Sequence, residues 1–82
     1  MPRYYFHVEF GEYSPDLEGT EFATPADAQG SAGRLVAEMM VDQVRFWRVP
    51  GLTVTVTDDW GVVLWKIDVT TFASPAAAVG DP

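Results

Sequence analysis

The residue best suited to proton transfer near neutral pH is His7, the single histidine of the chain. As a general base it would need an oriented substrate and a carboxylate partner, such as Asp16 or Glu18. A lone histidine also holds no zinc ion without other strong ligands. We therefore interpret His7 as a strand residue that pairs across a sheet surface. A small-ligand binder or enzyme that uses the His7 region is kept as an alternative.

Carboxylates are concentrated in the segment that follows, at Glu12, Asp16, Glu18 and Glu21. Oxygen ligands of this kind can hold a divalent cation, but their spacing is not that of a calcium loop. The chain has no cysteine and no Gly-x-Ser-x-Gly motif that would supply a nucleophile. We predict a solvated acidic loop, no catalytic residues, no metal and no cofactor.

Aromatic residues are more suggestive of binding. Trp65 fits a core position, whereas Trp60 lies in a predicted turn, where burial against its own domain is difficult. Exposed tryptophan is enriched at binding hot spots, although packing over a helix end is the equal alternative for Trp60. The residues predicted to bind a protein partner are Trp60, Trp47, Tyr5, His7, Leu64, Asp16 and Glu18.

The charge balance restricts the class of partner. Twelve acidic and five basic residues give a formal net charge of −7. Nucleic-acid affinity comes largely from lysine and arginine, so we expect no nucleic-acid partner. The acidity serves solubility or recognises a basic partner. Without a long apolar segment or a basic-then-apolar start, we expect a cytoplasmic protein with no membrane partner.

Period-two alternation predicts the strands. Residues 3–10 place Tyr4, Phe6, Val8 and Phe10 on one face. Residues 52–58 and 62–69 repeat the pattern as a hairpin around Asp58-Asp59-Trp60-Gly61, with Val63 on the same face as Trp65. Residues 11–23 are predicted to be a loop with a short strand around 20–22.

A helix is predicted between these strands. Thr24 and Pro25 form a start signal, and the helix is expected to run to about Arg48. Its apolar stripe is Ala28, Ala32, Leu35, Val36, Met39, Phe46 and, as a weaker member, Trp47. The predicted fold is α+β: one helix on a three- or four-stranded antiparallel sheet, in a single domain of residues 1–72 with a flexible tail at 73–82.

Such a sheet leaves its second face open. The alternation places on that face Tyr5, His7, Thr53, Thr55, Thr57, Val62 and Leu64. These side chains are apolar or weakly polar, and an apolar surface of this kind marks interaction sites. We therefore predict a homo-oligomer, most simply a dimer.

Three stretches carry a family resemblance: residues 1–8, MPRYYFHV; residues 16–21, DLEGTE; and residues 54–64, VTVTDDWGVVL. They resemble a bacterial domain-of-unknown-function family, number 6894, over nearly residues 1–70. The resemblance implies a bacterial or phage-borne cytoplasmic protein, and it indicates nothing about an activity. Residues 13–19, YSPDLEG, are also similar to a turn of the HicB-type antitoxins, which bind a basic toxin.

These observations leave three functional hypotheses. The first is a small acidic, non-enzymatic interaction module that binds another protein and self-associates. The second is a phage-type acidic inhibitor, a charge mimic that acts on a nucleic-acid-binding host protein. The third is the ligand binder or enzyme around His7.

Overall fold

A computed structural model describes residues 2–41, 48, 51–72 and 74–79. Within these residues, five strands and two helices have described bounds, and Arg48 is also helical. In chain order they are β1 (Arg3–Phe10), β2 (Glu12–Ser14), β3 (Thr20–Glu21), α1 (Pro25–Val41), β4 (Gly51–Thr57), β5 (Val63–Thr70) and α2 (Pro75–Val79). The α+β class predicted from the sequence is confirmed.

The strands form one antiparallel sheet in the order β2-β1-β4-β5, and β3 pairs with β1 beside β2. The central pair joins β1 to β4, with Phe6 opposite Val56 and Val8 opposite Val54. The prediction of a loop at residues 12–14 was wrong, because β2 folds back on β1 after Gly11, whose φ is 84°. The short strand expected near residue 20 is confirmed as β3.

The start of α1 agrees with the capping signal in the sequence. The Asp27 amide donates to Thr24 Oγ1 at 3.1 Å, so the threonine side chain satisfies an amide that has no partner inside the helix. Ala28, Ala32 and Val36 are buried against the sheet. The expected continuation to Arg48, with Phe46 and Trp47 in its stripe, falls mainly on residues 42–47, which lie outside the described residues.

The core lies between α1 and the face of the sheet that α1 covers. Its buried members are Tyr4, Phe10, Ala28, Ala32, Val36, Leu52, Val54 and Val56. Trp65 stacks on Tyr4 with ring centroids 5.8 Å apart, as its predicted core position requires. The alternation of β1 and β4 is therefore confirmed, and it determines which side chains remain on the other face.

The β4–β5 hairpin departs from simple alternation at one point. The register shifts between Val56 and Thr57, so that Trp65 lies opposite Val56 and Val63 lies opposite Thr57. A bulge of this kind breaks the period of two. Val63, predicted to share the inner face with Trp65, is 58% exposed instead.

The remaining segments add two observations. A short helix, α2, lies within the segment predicted to be a tail. Among the described residues, none of the helices is both long and apolar enough to cross a membrane.

Candidate functional site

The loop between β2 and β3 is organised by the side chain of Asp16. Its Oδ1 accepts hydrogen bonds from the amides of Glu18 at 3.2 Å and Gly19 at 3.0 Å. Its Oδ2 accepts one from the Phe6 amide of β1 at 3.0 Å. One carboxylate therefore closes the turn and attaches it to the strand edge between β2 and β3.

These contacts determine the protonation state of Asp16. Partial burial raises the pKa of the carboxyl group, but the hydrogen bonds from Gly19, Phe6 and Glu18 outweigh it, and the net effect lowers the pKa below 3.8. The three donating amides keep the carboxylate ionised to a lower pH than an ordinary aspartate. A carboxylate held in this way is a poor general base.

His7 lies next to this loop, and both of its ring nitrogens have partners. The Asp16 amide donates to Nδ1 at 3.1 Å, and Nε2 lies 3.1 Å from Thr57 Oγ1. Since Nδ1 accepts a hydrogen bond, the neutral ring carries its proton on Nε2, which then donates to the threonine hydroxyl. The imidazole thus contacts the backbone amide of Asp16. The Asp16 carboxylate instead accepts hydrogen bonds from the amides of Phe6, Glu18 and Gly19.

Arg3 holds the far side of the same loop. Its Nη1 donates to the Glu18 carbonyl at 2.8 Å and its Nη2 forms an ion pair with Glu21 at 3.2 Å. Gly19 lies between this arginine and Tyr5 with φ +71°, and a Cβ there would lie 2.8 Å from both side chains. This position requires glycine for two reasons: the backbone has a positive φ, and there is no room for a side chain.

An aromatic row lies on the open face of the sheet beside the loop. The rings of Tyr5 and His7 stack with centroids 6.5 Å apart, and Tyr13 of β2 stacks on His7 at 6.3 Å. The Tyr5 hydroxyl donates to Asp59 Oδ1 at 3.2 Å. Desolvation and then this hydrogen bond raise the pKa of Tyr5 above 10.0, so the phenol remains a donor that connects the row to the β4–β5 turn.

That turn carries the most exposed apolar side chains of the hairpin. Asp58 Oδ1 accepts from the amides of Trp60 at 2.8 Å and Val62 at 3.0 Å, and Gly61 has φ +77°. The turn is therefore held by the side chain of Asp58. The apolar tip comprises Trp60, Val62, Val63 and Leu64, which are 88%, 54%, 58% and 38% exposed.

The structure divides the predicted partner-binding residues into two groups. Tyr5, His7 and Asp16 meet at the loop, where exposed Glu18 contributes only its backbone. Trp60 and Leu64 both belong to the apolar tip. Of the two alternatives that the sequence left open for Trp60, its 88% exposure supports the exposed position over packing on a helix end. Trp47 lies outside the described residues. Whether any of them binds a partner stays a prediction.

Four residues that sequence reasoning did not assign to the site complete it: Arg3, Tyr13, Gly19 and Thr57. Gly19, the last residue of Asp-x-Glu-Gly, carried a signal, because glycine two or three residues after aspartate is typical of tight turns. Thr57 carried no signal in the sequence. Its 6% exposure depends on the strand register that places it beside His7.

The described residues contain no group of three or more histidine, aspartate or glutamate side chains arranged to hold a metal ion. With both His7 nitrogens and both Asp16 oxygens engaged, the arrangement supports loop positioning.

Comparisons with known proteins give one family. A search of curated proteins and a search of solved structures each found no significant match. The family model described as Domain of unknown function (DUF6894) matches residues 3–70. That range begins with the first residue of β1 and ends with the last residue of β5. It also includes the loop built on Asp16. Because the match covers more than half of the chain, the chain belongs to the DUF6894 family.

Proposed function

We propose that this domain is a small, non-enzymatic interaction module that binds another protein and self-associates. The observation that supports it most strongly is the apolar tip, in which Trp60 is 88% exposed on a turn with a fixed backbone. Soluble proteins rarely leave contiguous apolar side chains in water without an interaction role. Tryptophan also contributes more binding energy than most residues when a partner buries it.

The tip is suited to binding because its backbone is already ordered. Asp58 accepts hydrogen bonds from two amides of the turn, and its own amide donates to the Val62 carbonyl at 3.1 Å. A pre-organised turn loses little conformational entropy on association. The Tyr5–Asp59 hydrogen bond further ties the tip to the loop built on Asp16.

The geometry around His7 favours this proposal over the ligand-binding or enzymatic hypothesis. Its ring nitrogens face Thr57 and the Asp16 amide, and neither nitrogen is free to take a proton from a substrate. The charge mimic requires carboxylates gathered on one face. Four acidic residues lie close together in the chain between residues 12 and 21, but Asp27 lies in α1 and Asp68 in β5.

The test compares capture of proteins by the wild type and by Trp60→Ala from extracts of the source cell. Phe72→Ala is the matched control, because Phe72 is 86% exposed and follows the other end of β5. We expect specific proteins to be retained by the wild type and by Phe72→Ala, and lost by Trp60→Ala. Capture that is identical for all three proteins, or absent for all, contradicts the role of the tip.

A further inference from the structure

Strand β5 is an outer edge of the sheet. It is eight residues long, and among the described strands only β4 lies beside it. An edge strand of this length presents unpaired amides and carbonyls that can pair with another strand. The opposite edge differs, since β2, β3 and the Asp16 side chain together cover β1.

The direction of the outward amides follows from two hydrogen bonds. The Phe6 amide donates to Asp16, so it points away from β4. The Asp58 amide, just after β4, donates to the Val62 carbonyl and points toward β5. Amides of successive strand residues alternate in direction, so Val54 and Val56 of β4 exchange hydrogen bonds with β5.

On β5, the residues opposite those valines are Ile67 and Trp65. The amides of Ile67 and Trp65 point inward, toward β4. Because direction alternates along a strand, the amides of Lys66 and Asp68 point outward, away from β4. Both of these side chains are exposed on the open face. Arg3–Glu21 is the one ion pair among the described residues, so neither Lys66 nor Asp68 is ion-paired there. Asp68 Oδ1 accepts a hydrogen bond from Thr53 Oγ1 of β4 at 2.7 Å.

We propose that β5 pairs antiparallel with β5 of a second copy of this chain, about a two-fold axis at Ile67. This rests on the self-association in the proposed function and names the surface that performs it. In this register Lys66 lies opposite Asp68 of the second copy, and Asp68 lies opposite Lys66. Two ion pairs of opposite charge form across the new strand pair, at positions where backbone hydrogen bonds also form.

Charge complementarity selects this register over its neighbours. A two-fold axis at Lys66 places two lysines opposite each other, and an axis at Asp68 places two aspartates opposite each other. An axis between two residues would pair side chains from opposite faces of the sheet, which strand geometry does not allow. A lysine in the middle of an edge strand normally discourages pairing, but here it is neutralised in one register only.

The covered face of the sheet supports the same arrangement. On β4 the inward side chains of Val54 and Val56 are fully buried, but on β5 Trp65 and Ile67 are only half-buried. A second β5 places Ile67 against Ile67 and Trp65 against Val69 of the other copy. Cross-strand apolar pairs of this kind stabilise a sheet by removing such side chains from water.

A charge-swap series tests the register. Lys66→Asp and Asp68→Lys each place like charges opposite each other twice, and the double variant restores opposite charges in reversed order. We measure the dimer dissociation constant by sedimentation equilibrium. Each single variant should weaken the dimer by about tenfold or more, and the double variant should recover most of the loss. Circular dichroism of dilute samples checks that each variant remains folded.

Amide exchange provides a second measurement. The amides of Lys66 and Asp68 should become protected from exchange as protein concentration rises. If the wild type dimerises and the single variants have the same dimer dissociation constant, this register is overturned and self-association is not. A wild type that stays monomeric overturns both. Weakening by both single variants with no recovery in the double variant also contradicts the proposed pairing.

Discussion

Replacing Asp16 by alanine should destabilise the domain more than any other substitution of an acidic residue in its loop. The change removes the acceptor for the amides of Phe6, Glu18 and Gly19. A hydrogen bond contributes about 0.5–1.5 kcal/mol to the free energy of unfolding, and more when an acceptor is charged. Water can replace the acceptor at the Glu18 amide, but less easily at the part-buried Phe6 amide. We expect a total loss of about 2–4 kcal/mol.

The assay is equilibrium unfolding in urea, followed by circular dichroism. Glu18→Ala is the matched control, because Glu18 lies in the same loop and its carboxylate makes no hydrogen bond or ion pair among the described residues. Its loss should stay within about 0.5 kcal/mol, as for most surface substitutions. Equal losses for Asp16→Ala and Glu18→Ala would refute the assignment of Asp16 as the residue that closes the loop.

The same residue predicts a pH dependence. The pKa of Asp16 is lowered on folding, below its ordinary 3.8. Its contribution is therefore fully present above the unfolded-state pKa and is lost as pH falls through the folded-state pKa. The difference in stability between wild type and Asp16→Ala should shrink as the pH falls below about 4. A difference that grows as the pH falls would contradict the sign of the shift.

Three further predictions concern single positions. Gly19→Ala and Gly61→Ala both place a side chain at positive φ, which costs ~1–2 kcal/mol of folding stability. Only the Cβ at Gly19 meets other atoms, at 2.8 Å, so Gly19→Ala should lose clearly more stability than Gly61→Ala. Equal losses in urea unfolding would refute the close packing. Gly33→Ala, in α1 with nothing within 4 Å of the new Cβ, should raise stability by about 1 kcal/mol, and a lower melting temperature would contradict this. Nitrogen-15 NMR should show neutral His7 with its proton on Nε2, and a proton on Nδ1 would exclude the hydrogen bond from the Asp16 amide.

The sequence predicted those parts of the fold that depend on local periodicity. Tyr4 and Phe10 of β1, and Leu52 and Val54 of β4, are buried as period-two alternation requires. The Thr24 cap follows from local chemistry in the same way. Val63 was placed wrongly because a bulge depends on pairing between strands and leaves no mark in one strand alone.

The site was less predictable because its contacts join distant parts of the chain. The sequence suggested that Asp16 could serve His7 through its carboxylate, whereas the amide makes that contact. Thr57 meets His7 only because β4 pairs with β1 in one register. Arg3 reaches Glu18 and Glu21 because β3 returns to the start of β1. None of these pairings has a signature in composition or spacing.

The central claim, that the domain acts through association with protein surfaces including its own, is tested most directly by its mass in solution. Light scattering after size exclusion at micromolar concentration should give twice the 9.0 kDa of one chain. A mass of 9.0 kDa at every concentration up to the millimolar range would contradict self-association and the pairing of β5 with it.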